Sequence, residues 1–92
     1  MKLVIYKYEL RPQGDFTLQL PLGCQYLKVD VQNNKKPMLW VLCDPLAQTT
    51  LKKFRVILTG EARHNTDFGT YIDTFLLYKG DFVGHLFDVT GG

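Results

Sequence analysis

The chain has 92 residues, of which 46% are hydrophobic and 22% are charged, and its net charge is +2. This size indicates a single domain over 1–92, and the apolar content excludes intrinsic disorder. The small net charge does not by itself indicate a nucleic-acid partner, and no apolar stretch has the length of a membrane span or the form of a signal peptide. We therefore expect a cytoplasmic protein.

Apolar and polar residues alternate along most of the chain, which is typical of strands and not of helices. The first run, 2–10, places Val4 and Tyr8 on one face and Ile5 and Lys7 on the other. Further alternating or apolar runs follow at 16–20, 26–32, 38–43, 53–59, 71–78 and 82–89. Turn residues at 33–37 and 79–81 predict that the third and fourth runs, and the last two, form antiparallel hairpins.

The fourth run, Met38 to Cys43, has no polar residue on either face and lies between prolines. This pattern predicts a central strand that is covered on both sides. The fold class is therefore all-β, a single small antiparallel sandwich or barrel of about seven strands. At most one short helical turn is expected, within residues 45–52. An open strand edge in so small a domain also suggests a homodimer.

The residues that usually carry catalysis are few and scattered. His64 lies in the polar segment 60–70 and His85 shares a strand face with Val83 and Phe87, so we interpret them as a surface histidine and a hydrogen-bonded sheet histidine. No serine is present, and the two cysteines are expected to be reduced and partly buried. The sequence therefore predicts no enzyme, no metal site and no cofactor.

Basic and aromatic residues give a binding function more support. The segment 60–70 and the tip of the 33–37 hairpin place polar groups on loops of a rigid sheet, where recognition residues concentrate. Exposed tyrosines, with Tyr6, Tyr26 and Tyr71 as candidates, would act as anchors. The candidate partner- or ligand-binding residues are Lys35, Lys53, Arg55, Arg63, His64, Asn65 and Tyr71.

Several motifs resemble a family of small uncharacterised domains found in bacteriophages, prophages and bacteria. They are the opening Ile-Tyr-Lys-Tyr-Glu-Leu at 5–10, the centre Leu-Trp-x-Leu-x-Asp-Pro at 39–45, and the shorter matches at 54–56, 59–60 and 85–87. The resemblance covers most of the chain and carries no activity onto particular residues. It implies a phage-associated setting, in which small accessory proteins often inhibit host machinery by stoichiometric binding.

The resulting hypothesis is a non-catalytic phage-type accessory protein that binds and inhibits a host macromolecule, with a defence complex as the expected target, in the manner of an anti-CRISPR protein. A second hypothesis is a module that binds or sequesters a small anionic ligand such as a signalling nucleotide. A third is a nucleic-acid-binding barrel that combines stacking tyrosines with the basic residues.

Overall fold

A computed structural model describes residues 1–91 of the chain. It contains seven strands and two single-turn 3₁₀ helices. The strands are β1 (Val4–Glu9), β2 (Gly14–Pro21), β3 (Gln25–Gln32), β4 (Lys36–Cys43), β5 (Thr49–Leu58), β6 (Thr70–Leu77) and β7 (Phe82–Asp88). The 3₁₀ turns lie at Asn65–Asp67 and Tyr78–Gly80. No helix among these residues is long and apolar enough to cross a membrane.

The strands form two antiparallel sheets that pack face to face. One sheet has three strands in the order β1-β4-β3, and the other has four in the order β2-β5-β7-β6. One hydrophobic cluster joins them: Leu39 and Val41 of the first sheet and Phe54 and Leu86 of the second are fully buried in it. The predicted all-β sandwich is confirmed, and so are both predicted hairpins.

The short helical turn allowed for within residues 45–52 does not form. Residues 44–48 form a turn, and β5 already begins at Thr49, because Thr49–Leu51 pair with the last residues of β2. These first residues of β5 are mostly exposed, so no alternation of apolar side chains marks them as a strand. The 3₁₀ turns lie instead in the two polar connections on either side of β6.

The central position of β4 is confirmed, but its predicted coverage on both sides is wrong in part. Leu39, Val41 and Cys43 face the other sheet and are buried. Trp40 and Leu42 point the opposite way, and each is only half-buried, because no second layer covers the outer face of the three-stranded sheet. The apolar composition of this outer face therefore needs another explanation than burial in the core.

The longest connection crosses the outer face of the four-stranded sheet. Strands β5 and β6 are both antiparallel to β7, which lies between them, so they run parallel to each other. The segment 59–69, here called the crossover loop, must therefore return along the length of β7. Its Phe68 ring packs edge-on against Phe87 of β7 at 5.5 Å between centroids. Ile57 also points outward from β5 and is only 3% exposed.

Candidate functional site

The structure brings together five of the seven predicted site residues in or beside the crossover loop. Lys53 and Arg55 lie side by side on β5, and both line a cavity of about 420 Å³ that the loop and the segment 88–91 enclose. Arg63 and His64 lie in the loop itself. A cavity of this volume falls within the range of small-molecule sites.

The two arginines of this region are already bound to carboxylates. Arg55 donates from Nε and Nη2 to the two carboxylate oxygens of Asp15 at 2.7 and 2.8 Å, and its Nη1 donates to the Asp67 carbonyl. Arg63 donates to Glu61 and to Asp67. The hydrogen bond from Arg55 lowers the pKa of Asp15, so this pair stays ionised at neutral pH. An incoming phosphate would have to compete with these carboxylates for both arginines.

The loop histidine and its neighbour have positions that fit a structural role. His64 caps the 3₁₀ turn: its Nδ1 accepts from the Thr66 backbone and lies 2.7 Å from the Thr66 hydroxyl. Asn65 is exposed in the same turn. Lys53 is exposed and forms none of the salt bridges found among residues 1–91, which leaves its ammonium group accessible in the cavity wall.

Two predicted residues lie apart from the cavity. Lys35 belongs to the β3–β4 turn, whose Asn34 accepts from the backbone of Tyr78 and Lys79 near the opposite end of the four-stranded sheet. Tyr71 is 54% exposed on β6, where its ring packs on Phe87 and its hydroxyl lies 2.7 Å from that of Thr74. The seven predicted residues therefore do not form a single site.

The tyrosines predicted to be exposed differ from one another. Tyr6 is 42% exposed, but Tyr26 points into the sandwich, packs on Phe54 at 5.9 Å and donates to Asp88 at 2.8 Å. Burial and the Asp88 carboxylate both raise the pKa of the Tyr26 phenol. Tyr26 is thus a core residue with a satisfied hydroxyl, and its prediction as a surface anchor is wrong.

His85 confirms its interpretation as a hydrogen-bonded sheet histidine. Its two ring nitrogens lie 2.7 Å from the Thr59 hydroxyl and 2.9 Å from the Thr74 hydroxyl. Cys24 and Cys43 are free thiols, as predicted, and burial raises the pKa of Cys24. Within residues 1–91 no cluster of three or more histidine, cysteine, aspartate or glutamate side chains has a metal-binding arrangement.

Sequence reasoning missed a group of exposed apolar side chains on the outer face of the three-stranded sheet. The alternation along β4 places Trp40 and Leu42 on the outer face, and the ladder places Ile5 directly opposite Leu42. Leu42 also lines a cavity of about 380 Å³ together with Leu3 and Leu22. We define the apolar face by these five residues: Leu3, Ile5, Leu22, Trp40 and Leu42.

The apolar face is accessible from one side of the molecule. Ile5, Leu22 and Leu3 are 58%, 53% and 48% exposed. Lys7 covers Trp40: its ammonium nitrogen lies 5.5 Å from the indole centroid and 3.2 Å from the Gln32 side-chain oxygen. The exposed leucines and isoleucine come from separate parts of the chain, so their proximity could only be seen once the strand pairing was known.

The family model described as "Domain of unknown function (DUF7352)" matches residues 1–91, which include the crossover loop and the apolar face. No curated protein and no solved structure matches the chain. The resemblance to an uncharacterised domain family is confirmed at this level. The phage and bacterial distribution implied by that resemblance stays a prediction.

Proposed function

The chain belongs to the DUF7352 family of domains of unknown function, and from this membership and its surface we propose that it is a non-catalytic protein-binding module. It binds a partner protein through the apolar face and blocks that partner by occupying it. The observation that carries the proposal is the grouping of three exposed aliphatic side chains, those of Leu3, Ile5 and Leu22, around the half-buried Leu42 on one side of the sandwich.

The composition of the apolar face supports a protein partner over a nucleic acid or a small ion. Exposed aliphatic groups that lie together favour burial against another apolar surface. The cavity between Leu3, Leu22 and Leu42 offers a place for one protruding apolar side chain of the partner, which is how interface anchors are commonly seated. Lys7, above Trp40, supplies a polar rim.

The partner that we propose is a host protein, with a defence complex as the expected target. The support for this step is the resemblance of the chain to phage-associated domains, together with its small size. Stoichiometric inhibition requires affinity alone, which a rigid sheet with an apolar face supplies. The proposal places this activity in the host cytoplasm.

The experiment compares two matched leucine-to-glutamate variants on opposite sides of the molecule. Leu22→Glu introduces a charge at the apolar face, whereas Leu76→Glu introduces it at a 55% exposed position of β6 on the other sheet. We expect Leu22→Glu to weaken partner binding by about 30-fold, corresponding to about 2 kcal/mol, and Leu76→Glu to leave it unchanged.

The experiment measures inhibition of the defence system and binding to its subunits in the same cells. The chain is expressed in bacteria that carry a defence system, and the plating efficiency of a phage restricted by that system is measured alongside capture of its subunits. Wild type and Leu76→Glu should restore plating and retain the subunits in a fixed stoichiometry, and Leu22→Glu should do neither. Equal loss in both variants, or restored plating with Leu22→Glu, would contradict the proposed face.

A second candidate function follows from the cavity beside the crossover loop. Its volume and the free ammonium group of Lys53 favour a small anionic ligand such as a nucleotide. The engagement of Arg55 and Arg63 by carboxylates weakens this candidate relative to the first. Thermal shift with a panel of nucleotides tests it: stabilisation of the wild type that Lys53→Ala abolishes would support a ligand site, and no stabilisation at millimolar nucleotide would reject it.

A further inference from the structure

The four sheet edges of this sandwich differ in how well they are protected. Strands β3 and β6 are edges of different sheets that lie against each other, and the Asp73 carboxylate of β6 accepts from the Val29 backbone of β3 at 2.8 Å. Each of these strands also carries a register shift. Bulges and mutual coverage of this kind prevent further strand pairing. The other two edges, β1 and β2, lack such coverage.

The two remaining edges expose different side chains. The exposed residues of β2 are polar, namely Asp15, Thr17 and Gln19. In contrast, β1 exposes the apolar Ile5 and Tyr6 besides the charged Lys7 and Glu9, and it contains no proline. Like β2, it pairs with its neighbour without a register shift. A regular edge strand with exposed apolar residues is the kind that accepts another strand. The free edge of β1 is therefore the best site for strand addition.

The backbone of β1 has unpaired N–H and C=O groups that point to its free edge. The Leu10 N–H donates to the Pro37 carbonyl of β4 at 2.9 Å. Because alternate residues of an antiparallel strand bond to the same neighbour, the even-numbered residues of β1 bond to β4, and the odd-numbered ones direct their N–H and C=O groups to the free edge. Among residues 1–91 no group bonds to the backbone of Ile5, Lys7 or Glu9 at that edge.

The side chains of β1 indicate that the sandwich interior is open along the same edge. Tyr6 shares the inner side of the strand with Val4, Tyr8 and buried Leu10, yet it is 42% exposed. A strand added beside β1 would cover this ring from the unoccupied side. The edge thus lacks both backbone partners and part of its side-chain packing.

We propose that a second copy of this chain occupies the edge, with the two β1 strands antiparallel about a two-fold axis through Tyr6. Two residues that oppose each other in an antiparallel pair point their side chains to the same face of the sheet. On the two-fold axis, therefore, one residue must lie opposite its own symmetry copy. An axis through Lys7 would place two ammonium groups opposite each other, and an axis through Ile5 or Tyr8 would pair fewer strand residues. The axis through Tyr6 pairs Val4 with Tyr8 and sets the two Tyr6 rings side by side.

This arrangement explains why a copy fits the edge better than an unrelated strand. Each copy brings the same partly exposed Tyr6 ring to the other, and each Lys7 stem packs on the partner's Ile5. The two three-stranded sheets become one sheet of six strands, and the two apolar faces become neighbours on one side of it. The proposal concerns self-association alone and does not depend on the proposed function.

Proline substitution at an odd-numbered position tests the edge, because it removes only the outward N–H group. Lys7→Pro is compared with Lys7→Ala, since both lose the contact with Trp40 but only the alanine keeps the N–H. Sedimentation equilibrium should show dimers for the wild type and Lys7→Ala and monomers for Lys7→Pro with an unchanged circular dichroism spectrum. A monomeric wild type at about 1 mM, or a dimeric Lys7→Pro, would overturn the proposal.

Cysteine cross-linking tests the register between the two β1 strands and leaves every backbone N–H group in place. At the dimer interface Tyr6 opposes itself in a non-hydrogen-bonded pair, whose Cα separation of about 4.5 Å suits a disulfide. Tyr6→Cys should form a covalent dimer on mild oxidation. Val4→Cys and Tyr8→Cys should form one only when mixed, and the wild type, with its native Cys24 and Cys43, should form none. Equal cross-linking at all three positions, or none at Tyr6→Cys, would overturn the register.

Discussion

Gly84 illustrates how closely the side chains of neighbouring strands pack on the inner face of the four-stranded sheet. It lies in the middle of β7, where an added Cβ would stand 2.6 Å from Cζ of Phe75 and 2.9 Å from Cγ1 of Val56, both core side chains. We expect Gly84→Ala to lower the free energy of unfolding by about 1–3 kcal/mol through overpacking, as measured by urea unfolding. In a Phe75→Leu background the cost should be smaller; an equal cost would show that the Phe75 ring is not the obstacle.

Single residues also show where prediction from sequence is limited. The alternation in β4 identifies which side chains share a face with Trp40, but it does not reveal whether a second layer covers that face. Tyr26 and Tyr71 occupy comparable positions in alternating runs, yet one lies in the core and the other on the surface. The engagement of Arg55 by Asp15 joins residues 40 positions apart, so it depends on strand pairing that local pattern does not encode.

At the scale of elements, one carboxylate links the neighbouring edge strands β3 and β6 of the two sheets. Asp73 Oδ2 accepts from the Val29 backbone at 2.8 Å and so satisfies an edge N–H of the neighbouring sheet. We expect Asp73→Ala to cost about 1–3 kcal/mol of unfolding free energy, because that part-buried N–H loses its partner. Asp30→Ala is the control, since Asp30 forms only local exposed contacts and its removal should change stability by less than about 0.5 kcal/mol. If Asp73→Ala and Asp30→Ala lowered the free energy of urea unfolding by similar amounts, the contact between β3 and β6 through Asp73 would have no special role.

The elements themselves could be predicted largely from local pattern, and their arrangement could not. The two hairpins follow from short turns such as Asn33-Asn34, where both residues have positive φ. The β5–β6 connection is long, and only the insertion of β7 between those strands makes it a crossover that lies on the sheet. The cavity of the candidate ligand site is lined by residues of that crossover, so it depends on the same non-local arrangement.

At the scale of the whole molecule, the sequence predicted the correct fold class, but the polar residues that it singled out for binding lie on other surfaces than the apolar face on which the proposed function rests. Polar loops with arginines suggested recognition, yet in the folded chain Arg55 and Arg63 bind Asp15, Glu61 and Asp67. The apolar face assembles instead from the start of the chain, the β2–β3 turn and β4. Such a surface is invisible to a residue-by-residue analysis because each of its aliphatic side chains also fits an ordinary core position.

Three carboxylates with a lowered pKa predict how the stability of the molecule depends on pH. Arg55 lowers the pKa of Asp15, the Leu58 backbone and Arg63 lower that of Glu61, and hydrogen bonds from Thr90 and Tyr26 lower that of Asp88 against the opposing effect of its burial. The unfolded chain therefore takes up protons at higher pH than the folded one, so acid favours unfolding. We expect full stability from these groups above about pH 5, and a progressive loss as the pH falls through the ordinary aspartate value of 3.8 and below it.

Urea unfolding at pH 7 and pH 3 measures this loss, and Asp15→Asn separates the contribution of the pair with Arg55. The variant should be less stable than the wild type at pH 7, where Asp15 is ionised and paired. The difference should shrink at pH 3, because the wild-type carboxylate then becomes partly protonated. A constant difference between the two proteins across this range would mean that Asp15 stabilises the fold by its shape and not by its charge.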